Sequence, residues 1–276
     1  MTTFSGQAGD QHNRTDTAAD FFPESARVLY EAAPMKRAVC QVRFPQILKI
    51  DSALPVDFQE AIRDRFPVFE KKFVASIHGM SAELLQLVNN TAGIGAYTFR
   101  DETNHMQVTL NSSSISYAVN QPTRWETISD SLYFCIEALI KAYNPTFFSR
   151  VGLRYTNVIY KSRLGLDDIP WSELINSDLL GGIRNSYFLK YAIDSRNTLR
   201  LKDELGFILI QYGYNVKEKQ PDISSYILDF DIYQDERCEI HAVTDFVERA
   251  HARARRILRW SITDKLHEAM GPRPCP

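Results

Sequence analysis

Two halves of this 276-residue chain carry the same order of hydrophobic patterns, and that order limits the folds it can adopt. In the first half, apolar and polar residues alternate over 37–44, which predicts a strand, and large apolar residues recur at helical spacing over 56–70, which predicts a helix. Residues 123–143 form a long amphipathic pattern that begins at a predicted Thr123 cap and stops before Pro145. Between these helices lie four short strand-like segments, LLQLVN, GAYTFR, HMQVTL and SISYAV.

The second half repeats this order. It begins with the strand-like RVGLRYTNVIY at 150–160, continues with a short helical segment at 167–178, and ends in a predicted helix over 243–270. The strand-like segments before that helix are SYFLKYAI, NTLRLK, GFILIQYGYNV and SSYILDFDIYQ. The sequence therefore predicts an α+β fold built from a duplicated β-α-β4-α unit. Its curved antiparallel sheet would carry long helices on one face, an arrangement that resembles the TATA-binding protein and helix-grip folds.

The predicted domain organisation follows from this repeat. Residues 1–30 are expected to be a mobile N-terminal arm, because most of them are small or polar and few are large and apolar. The first β-α-β4-α unit is placed at 31–146 and the second at 147–276.

Composition and charge narrow the class of protein. Hydrophobic residues make up 44% and charged residues 24%, as in ordinary globular domains. The net charge of -2 gives the whole chain no positive field that would attract nucleic acid or anionic membranes. No apolar run approaches the roughly 18 residues of a membrane helix, and the four cysteines form no CxxC pair. We therefore expect a cytoplasmic protein with reduced thiols and no membrane association.

Three segments, RVGLRYTNVIY, LDFDIY and RILRWSITDKLHEAMG, are similar to recurring segments of a known family. The chain resembles, from Glu31 to Gly271, a family of sporadically distributed prokaryotic proteins of about this length that is defined by sequence and has no assigned activity. The resemblance implies a prokaryotic origin and a single repeated architecture, but it brings no catalytic residue. Many such families travel in mobile or defence-type gene clusters, and by that analogy a partner protein encoded nearby is expected.

Alternation along the predicted strands sorts charged residues onto the open face of the sheet, opposite the helices. The basic residues predicted on that face are Arg43, Arg154, Lys190, Arg200 and Lys202. Arginine forks in register can hold phosphates, so this face is a candidate platform for an anion or for nucleic acid. The alternative is a solvated face whose cations pair with Asp229 and Asp231 across the strands. No aromatic residue that could stack on bases is expected there.

The last predicted helix carries a second basic feature. Arg249, Arg253 and Arg256 recur at i, i+4 and i+7, so they share one face and are expected to be exposed. Such a stripe could bind a phosphate backbone or an acidic partner, although a charged outer face is also what any surface helix carries.

Motifs of the common enzyme classes are absent from the sequence, including GxxxxGK[ST], GxSxG and HExxH. The histidines are scattered, and His241 has no metal-site spacing to Cys238 or His251. Asp229 and Asp231 point the same way on one strand, so they could hold a divalent cation or simply pair with Lys190, Arg200 or Lys202. We predict no catalytic residue, no metal and no cofactor.

These patterns favour a non-catalytic binding or assembly protein that acts with a partner protein or with a second copy of itself. One alternative is a nucleic-acid or nucleotide sensor that uses the basic sheet face. The other is an enzyme of an unrecognised type in which Asp229, Asp231 or His241 performs acid and base chemistry.

Overall fold

The computed structural model describes residues 22–73, 95–217 and 220–275, which form an α+β fold with a large antiparallel sheet and several helices. The described strands are β1 (Val28–Tyr30), β2 (Met35–Arg43), β3 (Val68–Phe73), β4 (Gly95–Arg100), β5 (Met106–Asn111), β6 (Ser114–Val119), β7 (Arg150–Tyr160), β8 (Asp194–Asp203), β9 (Gly206–Lys217), β10 (Gln220–Gln234) and β11 (Pro272–Pro274). The described helices are α1 (Leu48–Ser52), α2 (Val56–Ile62), α3 (Trp125–Tyr143), α4 (Ser186–Tyr191), α5 (Val243–Ser261) and α6 (Asp264–Ala269).

The main sheet has nine strands in the order β3-β4-β5-β6-β2-β7-β10-β9-β8, and all neighbours are antiparallel. The predicted strands over 37–44 and 150–160 are confirmed as β2 and β7, which pair at the centre of the sheet with Cys40 opposite Leu153. The outermost described strands are β3 and β8, so each has one edge without a neighbouring strand of the sheet.

The core lies between one face of the sheet and the two long helices. Leu153 of β7 and Phe230 of β10 are completely buried on that face, as the alternation of these strands requires. Ser131 of α3 hydrogen-bonds Tyr117 of β6, and His251 of α5 reaches the hydroxyl of Tyr155 of β7. Both long helices therefore pack on the same face of the sheet, and the opposite, open face carries polar side chains.

The first long helix begins later than the sequence predicts, and the second ends earlier. The first begins at Trp125, not at Thr123, whose hydroxyl donates to the Gln121 carbonyl instead of capping the helix. The predicted single helix over 243–270 is divided into α5 and α6, because Ile262 is extended and forms a β-bridge while Thr263 caps the next helix through Leu266 N. A local cap and a tertiary bridge thus interrupt a continuous amphipathic pattern.

The predicted helix over 56–70 is wrong at its C-terminal end. Helix α2 ends at Ile62, and Val68–Phe73 forms β3, which pairs with β4. The physical reason is Pro67, since a proline disfavours helical backbone in the residue before it. Phe69 then stacks on Tyr97 from the neighbouring strand, at a ring-centroid distance of 6.3 Å.

The predicted strand SYFLKYAI is also wrong, because its first six residues form α4. The side chain of Asn185 accepts hydrogen bonds from the backbone of Tyr187 and Phe188, which starts a helix despite the apolar alternation. The second half therefore contributes three described strands after β7 to the main sheet, rather than four. The predicted strand LLQLVN of the first half lies outside the described residues.

The end of the predicted N-terminal arm that falls among the described residues is part of the folded body. Phe22 is buried and its ring meets the Trp260 ring edge to face, with centroids 5.4 Å apart. Strand β1 pairs with β11 close to the C-terminus, and Glu31 N donates to the Gly271 carbonyl. Residues 22–30 are thus joined to the C-terminal part of the chain.

Candidate functional site

Four of the five basic residues predicted on the open sheet face lie there. Arg43 stands opposite Arg150 of β7, and Arg200 stands opposite Leu209, whose own partner on β10 is Asp231. Lys202 is two residues further along β8, so its side chain points to the same side. Strand register therefore brings these cations and the two aspartates onto one surface, and their role in binding stays a prediction.

Arg154, the remaining basic residue of that surface, is already occupied by a carboxylate. Its Nε donates to Asp229 Oδ1 at 2.7 Å and its Nη2 to Oδ2 at 3.0 Å, while the Thr156 hydroxyl donates to the same carboxylate at 2.7 Å. These hydrogen bonds raise the pKa of Arg154, with burial opposing them. A guanidinium that already donates two hydrogen bonds to a buried carboxylate has few donors left to bind a phosphate.

Arg150, which sequence reasoning missed, forms a second ion pair on this surface. Its Nη2 lies 3.1 Å from Asp231 Oδ2 and its Nε lies 3.4 Å from Asp235 Oδ1. Burial raises the pKa of Asp231, opposed by Arg150 and Arg154. Both aspartates proposed for a cation site are thus engaged by arginines, as the solvated-face alternative expects.

Phe207 and Tyr233 lie on the open face, which corrects the expectation that it carries no aromatic residue. Phe207 and Tyr233 stack with centroids 5.3 Å apart and planes at 27°. Arg200 covers Phe207 at 4.4 Å and Arg150 covers Tyr233 at 4.5 Å, both measured to the ring centroid. The sequence could have predicted Tyr233 on this face, because it follows Asp229 and Asp231 at alternate positions of β10. Because cations cover these rings, their π faces are not free to stack on bases.

Lys190 does not lie on the sheet, because it belongs to α4. The predicted exposed arginine stripe of the last helix is also wrong at its centre. Arg253 is buried, with its guanidinium bound to Asp203 and, at 2.8 Å, to Glu204 of the β8–β9 turn. The outer two arginines are more accessible, and each has a carboxylate partner: Arg249 with Asp245 and Arg256 with Glu24. The stripe therefore holds the fold together more than it offers free cations.

A surface that sequence reasoning did not identify lies where α4 leads into the edge strand β8. Four large apolar side chains there are more than half exposed, at 69%, 59%, 65% and 67%, and a fifth, on β8, is 39% exposed. In that order they are Tyr187, Phe188, Tyr191, Ile193 and Leu199. We call these five residues, together with β8, the α4–β8 surface. An exposed aromatic cluster of this kind is typical of a protein interaction site.

The α4–β8 surface is bordered mainly by positive charges. Arg184, Lys190 and Arg196 are exposed around it, and the exposed carboxylate of Asp194 lies 3.6 Å from Arg196. The aromatic-rich segment SYFLKYAI could have indicated this surface. Because the segment is predicted as a strand, its aromatic rings are expected in the core instead.

The remaining catalytic candidate, His241, is exposed on a 3-10 turn, Ile240–Ala242. Throughout the described ranges, no group of three or more His, Cys, Asp and Glu side chains could hold a metal ion. None of the helices in those ranges is both long and apolar enough to cross a membrane.

Comparison with known proteins identifies no family. No protein-family model and no curated protein matches the chain. Among solved structures, the substrate-free duplicated taurocyamine kinase from Schistosoma mansoni has 10% sequence identity and a TM-score of 0.35, with coverage of 86% of this chain. The match spans only 35% of that kinase chain. A lombricine kinase has 8% identity and a TM-score of 0.31, with coverage of 84% of this chain and 69% of the kinase. Likeness this low carries no argument about fold or function.

Proposed function

We propose that this chain is a non-catalytic binding protein that assembles with a partner protein through the α4–β8 surface. The observation that carries the proposal is the exposure of Tyr187, Phe188, Tyr191 and Ile193 beside the edge of β8 that no described strand covers. Exposed aromatic rings are costly to leave in water and are enriched in interface centres. A free edge strand adds unpaired backbone groups that a partner strand can use.

The charges beside this surface indicate the chemistry of the partner. Arg184, Lys190 and Arg196 outnumber Asp194, so the border is positive. A second copy docked by the same surface would bring like charges together, which opposes self-association. We therefore propose a different protein, with an extended segment that pairs with β8, apolar side chains that cover the aromatic cluster, and acidic residues at its rim.

Affinity purification of the tagged chain from its native host at physiological salt tests this proposal. We expect a stoichiometric protein partner that is lost with Phe188→Asp and retained with Leu48→Asp. Leu48 is a matched control because it is a large apolar residue of α1 with 70% exposure. A partner that both variants retain equally, or a homodimer that Phe188→Asp dissociates, contradicts the proposal. Circular dichroism of both variants shows that each keeps its fold.

A second candidate function, a nucleic-acid or nucleotide sensor, is favoured by the cations of the open face that lack a carboxylate. Among the described residues, Arg43, Arg200 and Lys202 form no ion pair. Binding of this kind weakens steeply with salt, because phosphate contacts release counterions. Arg200→Gln should abolish it, whereas binding that is insensitive to salt or to this change excludes the sensor.

We also propose that the chain arose by duplication of one unit, with halves at 31–146 and 147–276. The sheet order supports this, because β2 and β7 pair at its centre and β6 and β10 flank them on either side. The last long element of each half is a 19-residue helix, α3 in the first half and α5 in the second. The resemblance to the TATA-binding protein stays part of this proposal, with one fewer described strand of the main sheet in the second half.

A further inference from the structure

A cavity of about 370 Å³ lies on the helix-covered side of the sheet, away from the α4–β8 surface. It is enclosed by α3, α5, β7 and the segment that contains β1, and its apolar wall includes Trp125, Ile128, Phe230 and Leu258. Its volume falls within the range of roughly 300 to 1,000 Å³ that is usual for small-molecule pockets. An apolar wall with a few polar groups is the composition such pockets have.

The polar side of this cavity carries an arginine without a counter-ion. Arg255 forms no ion pair with any described residue, and its Nε is buried without a hydrogen-bond partner there. Three other arginines line the cavity. Arg27 pairs with Glu126 and Arg259 pairs with a carboxylate of α6, whereas the exposed Arg124 forms no ion pair with a described residue. Burial lowers the pKa of Arg255, and the charges of Arg27 and Arg256 add to this effect. A half-buried cation beside other cations is a site that an anion stabilises.

A histidine of the same lining is held in a fixed orientation. The His251 ring stacks on Trp125 with centroids 4.1 Å apart and planes at 2°, and its Nδ1 lies 2.9 Å from the Tyr155 hydroxyl oxygen. Burial lowers its pKa to about 3, with Arg255 and Arg27 contributing, so the ring is neutral near pH 7. When Tyr155 donates to Nδ1, Nε2 carries the proton. That Nε2 also lacks a partner among the described residues, but it has almost no accessible surface, so the partly exposed Arg255 is the polar group of this pair that a ligand can reach.

The aromatic ring beside this histidine is fixed in turn. Trp125 Nε1 donates to Glu248 Oε2 at 2.8 Å, and Tyr133 donates to the other oxygen of that carboxylate at 3.1 Å. Glu248 thus accepts hydrogen bonds from two donors of α3, and it does not line the cavity. The residues that line the cavity include four arginines and no Asp or Glu, so the charge of this lining favours an anionic ligand.

We propose that this cavity binds a small organic anion, a carboxylate or phosphate monoester on an aromatic or branched aliphatic body. Its charged group would lie at the guanidinium of Arg255, and its body would contact Trp125, Ile128 and Leu258. This site goes beyond the proposed function, because the cavity and the α4–β8 surface share no residue.

Calorimetric titration of the full chain with phenyl phosphate and with benzoate tests the site, and benzyl alcohol serves as the uncharged control. We expect the anions to bind and the alcohol not to bind. Arg255→Gln should weaken anion binding by at least about tenfold, because it removes a charge-assisted hydrogen bond. Arg249→Gln is the matched control, since it changes an exposed arginine of the same helix outside the cavity.

Melting temperatures separate a binding role from a structural one. The unliganded Arg255→Gln protein should melt no lower than the unmodified protein, because the change removes an uncompensated cation. If that variant does not fold, Arg255→Lys, which keeps the charge but not the fork, should bind the anions more weakly than the unmodified protein. Absence of anion binding at millimolar concentration overturns the proposal. Equal affinity for benzyl alcohol, or unchanged affinity in both Arg255 variants, overturns it as well.

Discussion

Replacement of Arg253 by glutamine tests whether the centre of the arginine stripe on α5 is structural. Arg253 and its partner Asp203 have side chains that are only 8% and 1% exposed, whereas the neighbouring pair of Arg249 and Asp245 is 51% and 74% exposed. Removal of one member of a buried ion pair costs about 3 to 5 kcal/mol, because the other charge is left unpaired. Asp203 keeps hydrogen bonds from two backbone N–H groups, so we expect the lower end of that range.

The expected loss of about 3 kcal/mol corresponds to a fall in melting temperature of roughly 6 to 12 °C for a chain of this size. Arg249→Gln is the control and should cost less than about 0.5 kcal/mol, as exposed pairs on a helix do. Urea unfolding followed by circular dichroism at pH 7 measures both. The reasoning is refuted if the two variants lose the same stability. Addition of Asp203→Asn to Arg253→Gln should recover part of the loss, because it removes the unpaired charge.

Two further predictions concern the cavity and the edge strand. Because burial lowers the folded-state pKa of His251 to about 3, the unfolded chain alone takes up a proton as the pH falls below the ordinary value near 6.5. The folded protein should therefore lose about 2 kcal/mol between pH 6.5 and pH 5 relative to His251→Gln, measured by urea unfolding at each pH. His105→Gln changes an exposed histidine and is the control. It should lose as much stability between pH 6.5 and pH 5 as the unmodified protein. At the sheet edge, a Cβ at Gly213 would stand 1.8 Å from the Ser195 carbonyl oxygen, so Gly213→Ala should cost at least about 2 kcal/mol. Gly182→Ala, which meets nothing within 4 Å, should be nearly neutral by the same assay.

Long periodic segments of the sequence predicted the elements that depend on burial. The alternation in β7 and β10 placed Arg154 and Asp229 on the open face, where the structure has them, because a strand that buries one side exposes the other. Asp229 and Asp231 do form ion pairs across the strands, but with Arg154 and Arg150 rather than with the predicted Lys190, Arg200 or Lys202. Periodicity was sufficient for these residues because the burial of apolar side chains alone determines which side of a strand is exposed.

Elements set by local chemistry were predicted less well. Pro67 and the Asn185 cap each changed the secondary structure of a segment whose apolar pattern indicated something else. The burial of Arg253 could not be read from helical spacing, because its partner Asp203 approaches from a turn fifty residues earlier in the chain. Similarly, the cavity joins the segment around β1 to α5, which lie at opposite ends of the sequence.

The account depends most on the claim that a partner protein adds to the edge of β8. Hydrogen–deuterium exchange of the purified complex, compared with the free chain, tests it most directly. The account predicts slower exchange of backbone amides in α4 and β8, because a docked strand hydrogen-bonds the free edge and covers the aromatic cluster. Unchanged exchange in Ser186–Asp203, with protection confined to the central strands β2 and β7, would contradict it.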